Sequence, residues 1–190
     1  MTPRLIPHGG DPALLGATAT AEGVNFAVYS ETASAIWVCV FNEMGHETGR
    51  FELDGHDDNI HHGLIGGLGA GAKYGLRADG PYEPDQGLHF DPHKLLVDPY
   101  AKRLDRAYVR SPRLRLPRED AVDTAELVPK AIVVSPLPTR PPRRKAPSLM
   151  YELNVRGYTM RHPSVQGPLR GTIGGLTSRR VIDHLNYLGV

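Results

Sequence analysis

The sequence predicts a mainly β fold, an antiparallel β-sandwich followed by one strand–loop–helix unit, on three observations. From Gly23 to Ala78 the chain breaks into short runs of alternating apolar residues separated by turn signals. Leu149–Val155 (LMYELNV) then mixes apolar and β-favouring residues around a single carboxylate, Glu152, as suits a strand facing a packed interior on more than one side. Finally, Thr177 or Ser178 can cap a helix with Val181, Ile182, Leu185 and Leu188 on one face and Gly189 at the C′ position.

In chain order, Val24, Phe26 and Val28 alternate within Gly23–Ser30, and Ala35–Phe41 (AIWVCVF) is apolar on both faces, which places it centrally. Asn42–Gly45 is a turn signal before Glu47–Leu53, and Asp54–Asn59 is a polar turn before Ile60–Ile65. A glycine-rich break leads to Lys73–Ala78 (KYGLRA). Strands at this spacing suit an immunoglobulin-like antiparallel sandwich of roughly 80–90 residues.

From Tyr82 the proline and arginine content rises. Leu95–Tyr100 (LLVDPY) is apolar enough to be tied down and to stitch the sandwich to the next segment. Lys102, Arg103, Arg106, Arg110, Arg113, Arg115 and Arg118 are opposed within their stretch only by Asp105; Arg140–Lys145 is a second basic patch, and Ala131–Val134 between them reads as a strand. The expected division is therefore a sandwich with its connector over 1–101, a basic, proline-rich linker over 102–146 and a β/α unit over 147–190. Between Val155 and Leu176 the clustered glycines and prolines predict a long loop at the strand end. The chain reaches Val190 where a second parallel strand would start, so this half is expected to be incomplete.

Lys and Arg number 22 against 21 Asp and Glu in 190 residues, a net charge of +1, so no global field favours nucleic acid or an acidic membrane. The one cysteine, Cys39, lies inside AIWVCVF and reads as a buried filler in a reducing compartment. With no apolar leader at MTPRLIPHGG and no run approaching the ~20 apolar residues of a membrane span, the expected location is cytoplasmic.

Several linked motifs carry a family resemblance. YELNVRGYTMRHPSVQGPLRGTIGGLTSRRVIDHLNYLGV resembles the start of the catalytic barrel in bacterial glycogen-debranching enzymes and isoamylases of the α-amylase superfamily. GATATAEGVNFAVYS (Gly16–Ser30) resembles that family's opening, and HFDPHKLLVDPYAKRLD (His89–Asp105) a later stretch of it. The resemblance implies a carbohydrate-binding-module-like sandwich joined to the first unit of an incomplete (β/α)8 barrel.

A retaining glycosidase needs two carboxyl groups ≈ 5–5.5 Å apart. In the resembled superfamily these sit on later barrel strands, and a complete barrel takes ~250 residues, far more than lie beyond Ala146. Glu152, mid-strand, reads as structural, so no catalytic residue is assigned. The candidate substrate-binding residues are Tyr82, beside Pro81 and outside the strands, and Arg156, Tyr158 and His162 in the loop after the barrel strand. Tyr82 reads equally as a sugar platform or as a structural ring, and the loop residues suit a glucan or structural bracing equally well. Trp37 reads as core. His56, Asp57, Asp58, His61 and His62 match no zinc spacing and read as a turn and strand, while His89, Asp91 and His93 read as an ordered connector.

The resemblance implies hydrolysis of α-1,6-glucosidic branch links in glycogen or limit dextrin, without cofactor or metal, by an enzyme of which this chain alone would be inactive. The partner is then an α-glucan, with neither nucleic acid nor membrane, and uncovered barrel surface at Leu149–Val155 and Leu185–Val190 would favour self-association. The alternative is a non-catalytic module that binds glucan, or a polyanion through the two basic patches.

Overall fold

The computed structural model describes residues 2–135 and 149–190, in two compact units, Met1–Pro138 and Thr139–Val190. The Arg140–Lys145 patch lies outside the described residues. The first unit contains β1 (Arg4–Ile6), β2 (Gly16–Ala19), β3 (Gly23–Tyr29), β4 (Ala35–Phe41), β5 (Glu47–Glu52) and β6 (Gly55–Asp57). It continues with β7 (Ile60–Gly66), β8 (Lys73–Asp79), β9 (Tyr82–Glu83), β10 (Leu88–His89) and β11 (Ala131–Ile132).

Two antiparallel sheets result. One runs β1-β7-β3-β2, with β6 sharing the β1 edge of β7; the other runs β11-β8-β4-β5, and β9 and β10 form a separate ribbon. The five strands expected between Gly23 and Ala78 are all present. Sequence reading missed β1, β2 and the β9–β10 ribbon. It took Asp54–Asn59 for a turn, whereas Gly55–Asp57 is β6, joined to β7 by Asp58 and Asn59, both at positive φ (47° and 65°). That pair is the geometry of a tight I′ hairpin, for which Asp and Asn are among the few suitable side chains.

Inside the sandwich, Val24, Phe26 and Val28 of β3 meet Ile36, Val38 and Val40 of β4 and Tyr74, Leu76 and Ala78 of β8. Phe26 and Tyr74 cross edge to face at 5.1 Å, and the Tyr74 hydroxyl donates to Asp98 Oδ2 at 2.7 Å. Burial, with the neighbouring Asp98 charge and that bond, pushes the Tyr74 phenol up, so it stays a donor.

The apolar outer face of β4 has its own cover. Cys39 and Phe41 pack with Leu95 and Val128, supported by Val97, Leu114 and Ala125. Residues 91–130 thus form a layer over the second sheet, which is why both faces of β4 are apolar and why β4 is central. Leu96 exchanges backbone hydrogen bonds with Leu76 at 2.7 and 2.9 Å, and the Leu95 N–H donates to Thr124 Oγ1 at 2.9 Å. Gly75 allows this approach, since a Cβ there would lie 2.9 Å from the Leu95 side chain. Burial pushes the Cys39 thiol up to about 11, so it is an inert filler as its context suggested.

The second unit holds α1 (Val155–Met160), α2 (Ile173–Leu176) and α3 (Arg179–Tyr187). The helix read from the sequence is α3, flanked by Ser178 at the N-cap position and followed by Gly189 at φ 80°. The strand expected over Leu149–Val155 does not form. Tyr151–Asn154 is irregular and α1 begins at Val155, capped by Asn154 Oδ1, which accepts from the Gly157 N–H at 2.8 Å. A strand needs a neighbour to satisfy its N–H and C=O groups. Among the described residues Leu149–Val155 has none, and the backbone turns inward into a helix instead. The long loop expected beyond it is likewise made of short helical turns, tied together by buried Thr159, whose Oγ1 donates to Val155 O at 2.7 Å and accepts from the Gly171 N–H at 2.9 Å.

Candidate functional site

The sandwich unit carries a surface hollow where β8 ends. The chain leaves β8 at Asp79, turns through Gly80–Pro81 and presents half-buried Tyr82 on β9; the ribbon returns through β10 with His89 on the same side. The two rings meet edge to face at 6.4 Å. Arg118 fixes the corner. Its guanidinium donates to Gly80 O and Phe90 O, each at 3.1 Å, and to Asp79 Oδ1 at 2.9 Å, while its N–H donates to the Tyr82 hydroxyl at 3.3 Å.

Two depressions meet here at His89, Asp91 and Lys94. The first, of about 350 Å³, is mainly apolar, with Leu88, Phe90 and Leu96 among its lining. The second, of about 290 Å³, lies against Tyr82 and is bordered by Leu114, Arg115, Leu116 and Arg118. Asp91 turns its charge inward: Oδ1 accepts from the His93 N–H at 2.9 Å and meets His93 Nδ1 at 3.0 Å, while Oδ2 lies 3.7 Å from Lys94 Nζ. A half-buried aromatic ring beside an apolar trough and polar donors is the chemistry a sugar face and its hydroxyls require.

The other candidates belong to the second unit. Tyr158 on α1 stacks on His162 at 5.7 Å, with an angle of 29° between the rings, and Tyr151 meets Tyr158 edge on at 6.5 Å. His162 Nδ1 accepts from the Ser164 N–H at 3.2 Å, whereas Arg156 is exposed. The structure therefore brings Tyr158 and His162 together and seats Tyr82 in the other unit. Glu152 is exposed on the irregular segment before α1.

The histidine-rich hairpin is held by its own side chains: His62 Nε2 meets Asp57 Oδ2 at 2.9 Å, and His56 lies against His61 with ring centroids 4.5 Å apart. Trp37 is half-buried on the outer face of β4. Sequence reading missed Lys94, Arg115 and Arg118 as neighbours of Tyr82. Only the proximity of Lys94 to the ribbon was legible; the return of the chain at Arg115 and Arg118 is a long-range contact with no local signal.

Comparison with known proteins shows what the sandwich is similar to. Residues 14–101 match carbohydrate-binding module 48, the isoamylase N-terminal domain. Over 188 residues the chain is 37% identical to the glycogen debranching enzymes of Yersinia enterocolitica and Pectobacterium atrosepticum, covering 95% of this chain and 28% of each relative. It thus spans little more than a quarter of the length of those relatives. Apo pullulanase from Paenibacillus barengoltzii matches 95% of this chain and 26% of its own at TM-score 0.56 and 22% identity. The maltotriose complex of PulA from Klebsiella pneumoniae matches 93% and 19% at TM-score 0.57 and 20% identity. The resemblance to debranching enzymes read from Gly16–Ser30, His89–Asp105 and the YELNV…YLGV stretch agrees with the module match and the curated relatives, and the carbohydrate-binding module match covers the Tyr82 ribbon, Asp91 and Lys94.

Proposed function

We propose that this chain is the glucan-binding and barrel-initiating portion of a glycogen-debranching glycoside hydrolase that cleaves α-1,6-glucosidic branch links in glycogen or limit dextrin. The observation that carries this reading is the 37% identity to glycogen debranching enzymes, which extends across 95% of the chain. Within it, the carbohydrate-binding-module match over 14–101 supports α-glucan as the partner, with Tyr82 as the aromatic contact. Residues 147–190 are the stretch that would form the first β/α unit of a (β/α)8 barrel once neighbouring strands pair with Leu149–Val155. No catalytic carboxylate is assigned to this chain, and the site needs no cofactor. Arg156, Tyr158 and His162 are the second unit's candidate glucan contacts.

Exposed Met150, Ile173, Tyr187 and Val190 in the second unit favour association with the remaining barrel or with a second copy. No helix among the described residues is long and apolar enough to cross a membrane, and a cytoplasmic setting suits a glycogen substrate. The polyanion alternative is weakened by the basic stretch itself. Arg106 donates to Glu126 O and Val128 O, Arg113 pairs with Glu126, and Arg118 braces the Tyr82 corner, so much of that charge serves the fold.

Affinity electrophoresis with and without glycogen, run beside a reducing-end assay on β-limit dextrin, tests the proposal. Retardation without sugar release is expected. Absence of retardation would remove the glucan-binding part, and sugar release would show a catalytic centre that the proposal does not include.

A further inference from the structure

We infer that the depression beside Tyr82 takes a phosphate ester carried by an α-glucan, so that the sandwich prefers phosphorylated over neutral chains; this rests on the glucan-binding reading above. Its lining holds three cations, Lys94, Arg115 and Arg118, and one carboxylate, Asp91. The side chain of Asp91 is only 4% exposed: its Oδ1 meets His93, and its Oδ2, buried without a hydrogen-bond partner among the described residues, lies 3.7 Å from Lys94 Nζ. Asp91 and Lys94 thus offset each other, and Lys94 also donates to Val122 O. Arg118 is neutralised by Asp79 from outside the lining. Arg115 is exposed and makes no ion pair among the described residues.

The distribution of donors decides the ligand class. Glucose hydroxyls both donate and accept, so a site built for neutral sugar offers both kinds of partner. Arginine and lysine only donate, whereas phosphate oxygens at neutral pH mainly accept and carry the opposite charge. With Lys94 paired to Asp91 and Arg118 to Asp79, the uncompensated charge bordering this depression is the exposed Arg115, which only donates, while the one carboxylate of the lining is buried. The backbone at Arg115 is anchored, which sets where its side chain starts. It closes the single helical turn Pro112–Arg115, whose first residues are capped by Ser111 Oγ and whose Leu114 packs into the layer over β4. Tyr82 supplies an aromatic surface for a sugar ring directly beside the cations, which couples recognition of the ester to recognition of the glucan.

Isothermal titration of the full chain at low ionic strength with maltoheptaose, maltoheptaose bearing one 6-phosphate, and inorganic phosphate tests this. The phosphorylated chain should bind at least fivefold more tightly than the neutral one, and inorganic phosphate far more weakly than either. Arg115→Gln should bring the two glucans to within twofold of each other, while Arg180→Gln, on the second unit, should leave the preference intact. Equal affinity for both glucans in the unaltered protein would overturn the inference and leave the glucan reading standing. Phosphate binding as tight as the phosphorylated glucan would overturn it as a simple anion site. Binding of none of the three would overturn the inference together with the glucan reading.

Discussion

Both carboxylate oxygens of Asp123 lie 3.0 Å from Nη2 of Arg77, a side chain 1% exposed at the centre of the second sheet's outer face. Through Nη1 the same guanidinium donates to Pro92 O at 3.0 Å and His93 O at 2.8 Å, so one residue of β8 grips both ends of the covering layer. Burial alone would push the Asp123 carboxyl up, but the Ala125 N–H and Arg77 hold it below its ordinary value. Asp123→Ala leaves the buried guanidinium with Glu47 at 3.3 Å as its remaining anion; because the Asp123 side chain is itself 60% exposed and screened by water, the loss in urea unfolding should be about 1–2 kcal/mol. Adding Arg77→Met removes the stranded charge, so the double variant should lose less than the sum of the single changes. Full additivity would show that the pair is not coupled. Because the folded-state pKa of Asp123 is depressed, its stabilisation is present above the unfolded value and is lost as pH falls through the lower folded one, which puts its acid limb below about pH 4.

Gly75 is the point where the covering layer comes closest to the sheet. Gly75→Ala would set a methyl group against Leu95, and a close-packed layer yields only by shifting, at a cost of about 1–3 kcal/mol. The strain falls on the cover rather than on the sandwich core, so amide exchange should accelerate around Leu95–Val97 and Thr124–Val128 while β3 stays protected. Uniform acceleration across both sheets would contradict a separable layer.

His61 sits in the sheet with its Nε2 buried and without a hydrogen-bond partner. Burial first, and then the neighbouring His56, lower its pKa below 6.5. The unfolded chain therefore takes up a proton before the folded one, and stability falls as pH drops from the ordinary histidine range towards the lower folded value, becoming flat with respect to this group below it. His61→Leu should reduce the stability difference between pH 8 and pH 5. An unchanged difference would mean that the hairpin opens to let the ring protonate.

Local alternation in the sequence was enough to place β3, β4, β5, β7 and β8, because each is long enough to show which side faces the core. The edge strands β1, β2 and β6 are three or four residues long and leave too little period to read. The failed strand at Leu149–Val155 has a different cause. Its apolar residues describe a surface that needs partner strands, whereas the short-range chemistry, Asn154 placed to cap the following turn, favours a helix when those partners are absent. At the candidate site Tyr82 was legible as an aromatic just outside a strand, but the residues that brace and charge it return from positions 114–118 and are joined to it only by the fold.

The two tyrosine candidates should behave differently towards glucan. Tyr82 is fixed by the Arg118 N–H on its hydroxyl and borders a depression, so its ring is presented to solvent in a defined orientation. Tyr158 already has His162 stacked against it and Tyr151 at its edge. Part of its ring surface is thereby occupied within its own unit. Losing an aromatic sugar contact costs on the order of 1 kcal/mol, which corresponds to roughly a fivefold weakening. Tyr82→Ala should therefore weaken retardation in glycogen gels by about that factor, with Tyr82→Phe close to the unaltered protein because the ring is kept. Tyr158→Ala should change retardation less than twofold and instead loosen α1, seen as a loss of helical circular dichroism. The reverse pattern, with glycogen retardation depending on Tyr158 and not on Tyr82, would move the glucan contact from the sandwich to the second unit.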